Sequence, residues 1–146
     1  MTSPAPDPGR GAQAAGGAGS AAAPSGIARA HRGLALLFLV LGVVAFFLAG
    51  LAVFDAGTNF DAHRGVGTLM LLIALILLIL AIVGRPAAVQ ASAVLFGLMV
   101  LQSLLAVLGS ETSAVIGALH PVNGLLVLFA ASLAAAGKPF PVARRA

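Results

Sequence analysis

In a chain of 146 residues, 60% apolar side chains against 8% charged ones leave too little polar surface for a soluble domain. The formal net charge of +4 is dispersed between apolar blocks with no basic run, so nucleic acid is not an expected partner and the lipid bilayer is. The absence of Cys, Trp and Tyr excludes disulfides, thiolate metal sites, cysteine catalysis and tyrosine relays, and leaves any interfacial aromatic belt to Phe.

Residues 1–28 are Ala, Gly, Pro and Ser with almost no large apolar side chain, a composition that cannot offset its ordering entropy. A disordered cytoplasmic tail is expected there. Arg29, His31 and Arg32 lead into the first apolar block, and His31 is expected to be solvated among these cations at the membrane edge. The block spans about 34–54, too long for the apolar core of a signal peptide, and is read as a retained helix. Further spans are expected at about 61–84, with Thr58 or Asn59 able to cap its start, and at 87–109. The fourth, about 113–136, contains Pro121. A start at Pro121 itself would leave only about 16 residues against the roughly 20 a bilayer needs, so a longer helix kinked at Pro121, with the Gly117 carbonyl left without its donor, is favoured. The four-helix domain covers 29–138, and 139–146 form a C-terminal tail. The fold class is an all-α membrane protein, a four-transmembrane-helix up-down bundle.

All the Lys and Arg residues except Arg64 fall on one side of this arrangement, while Arg64 shares the other with Asp55, Asp61 and Glu111. Positive charge marks the cytoplasmic side, so a multi-pass protein of the cell membrane with both termini cytoplasmic is expected.

Only three histidines occur in the chain, and two of them sit in an internal echo. LAVFDAGTNFDAHRGVGTL, from Leu51, and LAVLGSETSAVIGALHPVNGLL, from Leu105, share the order Leu-Ala-Val, a short polar stretch, His, three residues, Gly, one residue, Leu. The echo recurs every two spans, which makes it a parallel repeat of two hairpins. His63 and His120 then lie at similar depth on the second and fourth helices. In an up-down square with neighbouring axes about 8–10 Å apart, these diagonal helices can bring two imidazoles to one metal centre. Gly67 and Gly124 lie one turn deeper on the same faces and leave a slot of the kind a porphyrin plane needs. Gln102 and Asn123 can face the same space, and Arg64 can neutralise a haem propionate.

Simpler roles exist for each residue. An imidazole is at home near an interface, glycines let helices approach, Gln102 and Ser103 can join helices, Arg64 can be a solvated cation, and Asp61 and Glu111 can stabilise helix starts.

The run FFLAGLAVFDAGTNFDAHRGVG, with LQSLLAVLG and ALHPVNGLLVL, resembles an uncharacterised bacterial family of small four-span membrane proteins. More distantly, His63-Arg64, Leu101-Gln102 and the LHPVNG run from Leu119 resemble one four-helix half of haem A synthase. That resemblance implies paired histidines at the outer side of the second and fourth helices. The acidic residue which that family carries three positions before its first paired His is Phe60 here, so the haem-site geometry is carried over and the synthase activity is not.

The leading expectation is therefore a protein that binds one b-type haem between His63 and His120, for electron transfer with a redox partner or membrane complex, or for haem handling. No catalytic residue is assigned. A cofactor-free structural or accessory membrane protein is the alternative. A divalent-metal site built on His63, His120, Asp61 and Glu111 is a third reading, without any local ligand pair of metal-binding spacing.

Overall fold

The computed structural model describes residues 25–54 and 59–141. The expected disordered tail up to residue 24, the capping candidate Thr58, and residues 142–146 lie outside the described residues. The described chain forms α1 (Gly26–Phe54), α2 (Asp61–Gly84), a single 3₁₀ turn (Pro86–Ala88), α3 (Val89–Glu111) and α4 (Ala114–Ala136), and has no strand. All four helices are long and apolar enough to cross a membrane.

Their burial pattern is that of a bilayer-facing bundle. On α1 the inward stripe is His31, Ala35, Phe38, Gly42 and Ala45, spaced three and four apart so that it stays on one face. Leu36, Leu37, Val40, Val43 and Phe47 point outward. On α4 the buried face is mostly alanine, including Ala130, Ala131, Ala134 and Ala135. Small residues inside and large ones outside let backbones approach where lipid, not water, is the competing environment. Helices α3 and α4 approach so closely that a Cβ on Gly109 would run into the Gly117 backbone, with the Gly117 nitrogen at 2.8 Å.

Each helix packs on its two neighbours in a ring: α1 on α2 and α4, and α3 on α2 and α4, with no backbone contact across either diagonal among the described residues. Short links make consecutive helices antiparallel, so this is the expected up-down square. The repeat is visible in the packing. The offset that carries His63 onto His120 carries buried Ala35, Phe38 and Gly42 of α1 onto buried Ser92, Leu95 and Met99 of α3. It also carries Met70, Ile73, Ala74 and Leu77 of α2 onto Val127, Ala130, Ala131 and Ala134 of α4, again all buried.

The helix ends have local causes. The Asp61 amide donates to Asn59 Oδ1 at 3.0 Å as α2 begins, and Pro86 sits in the first turn of the 3₁₀ segment, where a missing N–H is harmless. Pro121 lies inside a continuous α4, in keeping with the longer helix. That helix ends in a Schellman motif: Gly137 adopts φ 68°, its amide reaches Ala134 O, and the Lys138 amide reaches Leu133 O.

Two boundaries differ from expectation. Helix α1 begins at Gly26, inside the segment read as tail, because the Ala28 amide finds a cap in Ser25 Oγ at 3.2 Å and the added turns bring His31 onto the buried stripe. Beyond α4, Phe140 packs back on the core, its ring 5.8 Å from that of Phe129.

Candidate functional site

His63, in the first turn of α2, and His120, in the second turn of α4, meet across the bundle, their ring centroids 6.0 Å apart at an interplanar angle of 63°. Each ring is aimed by the preceding helix of its own hairpin. His63 Nδ1 donates to the carbonyl of Ala45 on α1 at 2.8 Å, and His120 Nδ1 donates to the carbonyl of Gln102 on α3 at 3.1 Å. In both cases the acceptor lies eighteen residues earlier in the chain, so the echo repeats the hydrogen bond as well as the residues. Placing the proton on Nδ1 leaves Nε2 as a lone-pair donor on each ring. Neither Nε2 has a hydrogen-bond partner among the described residues.

The rings face a cavity of about 890 Å³ lined from all four helices. Gly67 and Gly124 both line it. A Cβ on Gly67 would meet nothing within 4 Å, whereas one on Gly124 would come within 3.1 Å of the Phe46 ring and 3.5 Å of Gln102 Nε2. The glycine on α2 thus borders open space, and the one on α4 keeps Phe46 and Gln102 from being pushed aside. Phe60 closes over His63, with ring centroids 6.1 Å apart. Arg64 stands at the rim, its side chain 73% exposed, 3.7 Å from Asp61, a separation at which an exposed pair holds the guanidinium only weakly.

Gln102 lines the cavity as expected. Asn123 does not: it shares a helical face with His120, but its Nδ2 donates to Leu98 O at 3.0 Å and to Gln102 Oε1 at 2.6 Å. It ties α4 to α3 and fixes the Gln102 amide from behind. Its own Oδ1 is buried without a partner. Phe46 and the Ala45 carbonyl belong to the site yet were absent from the sequence expectations. The repeat was the signal that could have found Ala45, since Gln102 is its counterpart.

Two imidazoles bonded end-on to one metal through bonds of about 2 Å hold their ring centres roughly 6 Å apart, so the observed separation fits a shared metal atom. No group of three or more His, Asp or Glu able to hold a metal ion exists among the described residues. Asp61 and Glu111 therefore do not join the histidines, and the divalent-metal reading lacks its ligand set. A metal held here would have to bring its remaining ligands with it, as a metalloporphyrin does.

His31 corrects the expectation of a solvated side chain. It is completely buried, with Nε2 donating to Ser92 Oγ at 3.0 Å and Nδ1 accepting from Arg85 Nη1 at 2.8 Å. Arg85 also donates to the carbonyls of Ala134 at 3.1 Å and Ala135 at 3.3 Å. Its cation thereby meets the negative end of α4. Burial, and then the nearby Arg32, hold the Arg85 pKa below its usual value. Both ring nitrogens of His31 are engaged, and it stands at the opposite end of the bundle from the cavity.

Fold and site together define a small four-span helical membrane protein with a paired-histidine cavity at one end. Residues 45–110 match the model of a family of unknown function, DUF6220, a stretch that contains His63 and ends before His120. No curated protein and no solved structure matches the chain, and the resemblance to haem A synthase gains no support from these comparisons.

Proposed function

We propose that the protein binds one b-type haem, which His63 and His120 would hold between them. The observation that carries the reading is the matched pair of imidazoles at 6.0 Å, each bonded through Nδ1 to a backbone carbonyl and both lining one cavity. Such outer hydrogen bonds fix the tautomer and raise the basicity of a ligating histidine. Gly67 and Gly124 keep the space beside the rings open, Gln102 supplies a polar wall held by Asn123, and Arg64 at the rim is placed for a propionate. When bound, the haem would supply one-electron chemistry. The chain's own residues would orient it, exclude water and set its potential through ligands and burial. Electron transfer with a membrane redox partner, or haem handling, is the role this supports, and no enzyme activity is proposed.

The test is direct. The protein purified by gentle extraction from haem-sufficient cells should carry a stoichiometric Soret band with a six-coordinate low-spin spectrum, lost in both His63→Ala and His120→Ala. Wild-type protein without bound haem would remove the proposal and leave a cofactor-free accessory membrane protein.

We also propose that the site faces the outside of the cell membrane and both termini the cytoplasm, on the strength of the one-sided cations. Reporters fused after Gly84 and after Glu111 should read opposite sides, cytoplasmic and external. Cytoplasmic activity from the fusion after Glu111 would overturn the orientation.

A further inference from the structure

The cavity has a near two-fold symmetry of its own. Every lining residue of the first hairpin except Thr68 maps, by the offset that relates the histidines, onto a lining residue of the second. The counterparts fall into two sets. One is preserved: His63 and His120, Gly67 and Gly124, Ala49 and Ala106, Leu71 and Leu128. The others have diverged: Gly42, Phe60 and Met70 have the apolar counterparts Met99, Gly117 and Val127, whereas Ala45, Phe46 and Val53 on α1 stand opposite Gln102, Ser103 and Ser110 on α3 and so gain a polar group at each position. The wall given by α1 offers only hydrocarbon, while that given by α3 offers an amide and two hydroxyls. Arg64 on α2 likewise has Pro121 as its counterpart on α4, so the rim carries a cation in only one repeat.

A ligand held by two equivalent imidazoles in a symmetric cavity has two equivalent seatings, related by a half-turn about the bundle axis. Unequal walls remove that equivalence for any ligand that is itself amphipathic. We infer that the cavity is built for a planar tetrapyrrole with an anionic edge, seated one way only, its carboxylates toward Arg64 and Ser110 and its hydrocarbon edge toward Phe46 and Val53. The inference rests on the haem reading and adds to it the feature of the ligand that is recognised.

The polar groups are free to take part. Ser103 Oγ and Ser110 Oγ donate only to carbonyls of their own helix, at 3.2 Å and 2.8 Å, bonds a hydroxyl can exchange by rotating its hydrogen. Among the described residues, Arg64 would give up only its 3.7 Å approach to Asp61. A carboxylate there gains charge-assisted hydrogen bonds, while on the α1 side it would lie against apolar surface without a partner.

The experiment titrates the haem-free full-length protein in detergent with haem and with haem dimethyl ester, which keeps the ring and the iron but lacks the negative charge. Dissociation constants are read from the Soret absorbance. Wild type should bind the free acid more tightly by about fivefold, the scale of an exposed but multiply bonded ion pair. Arg64→Leu combined with Ser110→Val should bring the ratio close to one by weakening the acid and leaving the ester unchanged. Equal wild-type affinity for acid and ester, with both requiring His63 and His120, would overturn the anionic-edge inference and leave the haem reading standing. Binding of neither compound would overturn both. The wild-type comparison needs no variant, so a misfolded double mutant does not blunt it.

Discussion

The two ends of the bundle each hold a polar cluster around histidine, and they are built to opposite purposes. At the Arg85 end, His31 uses both ring nitrogens, one on Ser92 and one on Arg85, and Arg85 goes on to the last carbonyls of α4. These bonds hold α1, α3 and α4 to the Arg85 turn, and none of these residues lines the paired-histidine cavity. At the other end His63 and His120 each spend one nitrogen on a carbonyl, leave the second without a hydrogen-bond partner among the described residues, and line a cavity of about 890 Å³. A buried histidine is thus informative through its unused nitrogen more than through its burial. By that criterion the fully buried His31 is a strut, and the half-buried pair forms a site.

The comparison predicts different responses to damage. Arg85→Met should have the largest effect on stability, about 3 kcal/mol, because it leaves His31 Nδ1 and two α4 carbonyls without their donor. Thermal unfolding of the haem-free protein in detergent measures it. In the same melt, His120→Ala should cost only about 1 kcal/mol, the loss of one ordinary hydrogen bond. Equal losses would mean that the two ends share the structural burden and that the distinction drawn between them is false.

A smaller change sharpens the cavity side. Gly124→Leu should weaken haem retention through gel filtration and cost about 1–2 kcal/mol, since its Cβ already comes within 3.1 Å of Phe46 and further bulk enters the space beside His120. Gly97→Leu, exposed and with nothing within 4 Å, should stay within about 0.5 kcal/mol of wild type and keep its Soret band. If both variants lose haem alike, or neither does, the glycine beside the imidazole is not shaping a ligand slot.

Much of this was legible in the sequence for identifiable reasons. Four apolar blocks, one-sided cations and Pro121 too close to the end of its block to start a span marked the helices and their alternation. The paired histidines stood out because a rare residue recurred in register with glycine. What escaped the sequence depended on direction. Nothing in the letters of Ala45 marks its carbonyl as an acceptor, because every residue has one. Asn123 shares a face with His120 by spacing, yet its amide turns toward Leu98 and Gln102. His31 looked solvated because arginines flank it in the chain. Once α1 starts at Gly26, those arginines fall on other faces, and His31 joins Ala35 and Phe38 on the buried stripe.

The repeat also limits what the far end can become. The counterpart of His31 in the second hairpin is Ala88, buried and without any coordinating atom in its side chain, and the ring nitrogen a partner would need is held by Arg85. A bundle with a histidine pair at each end could pass charge from one face of the membrane to the other; this one has a pair at a single end. Any group held between paired imidazoles in this bundle would therefore sit at one end of it only.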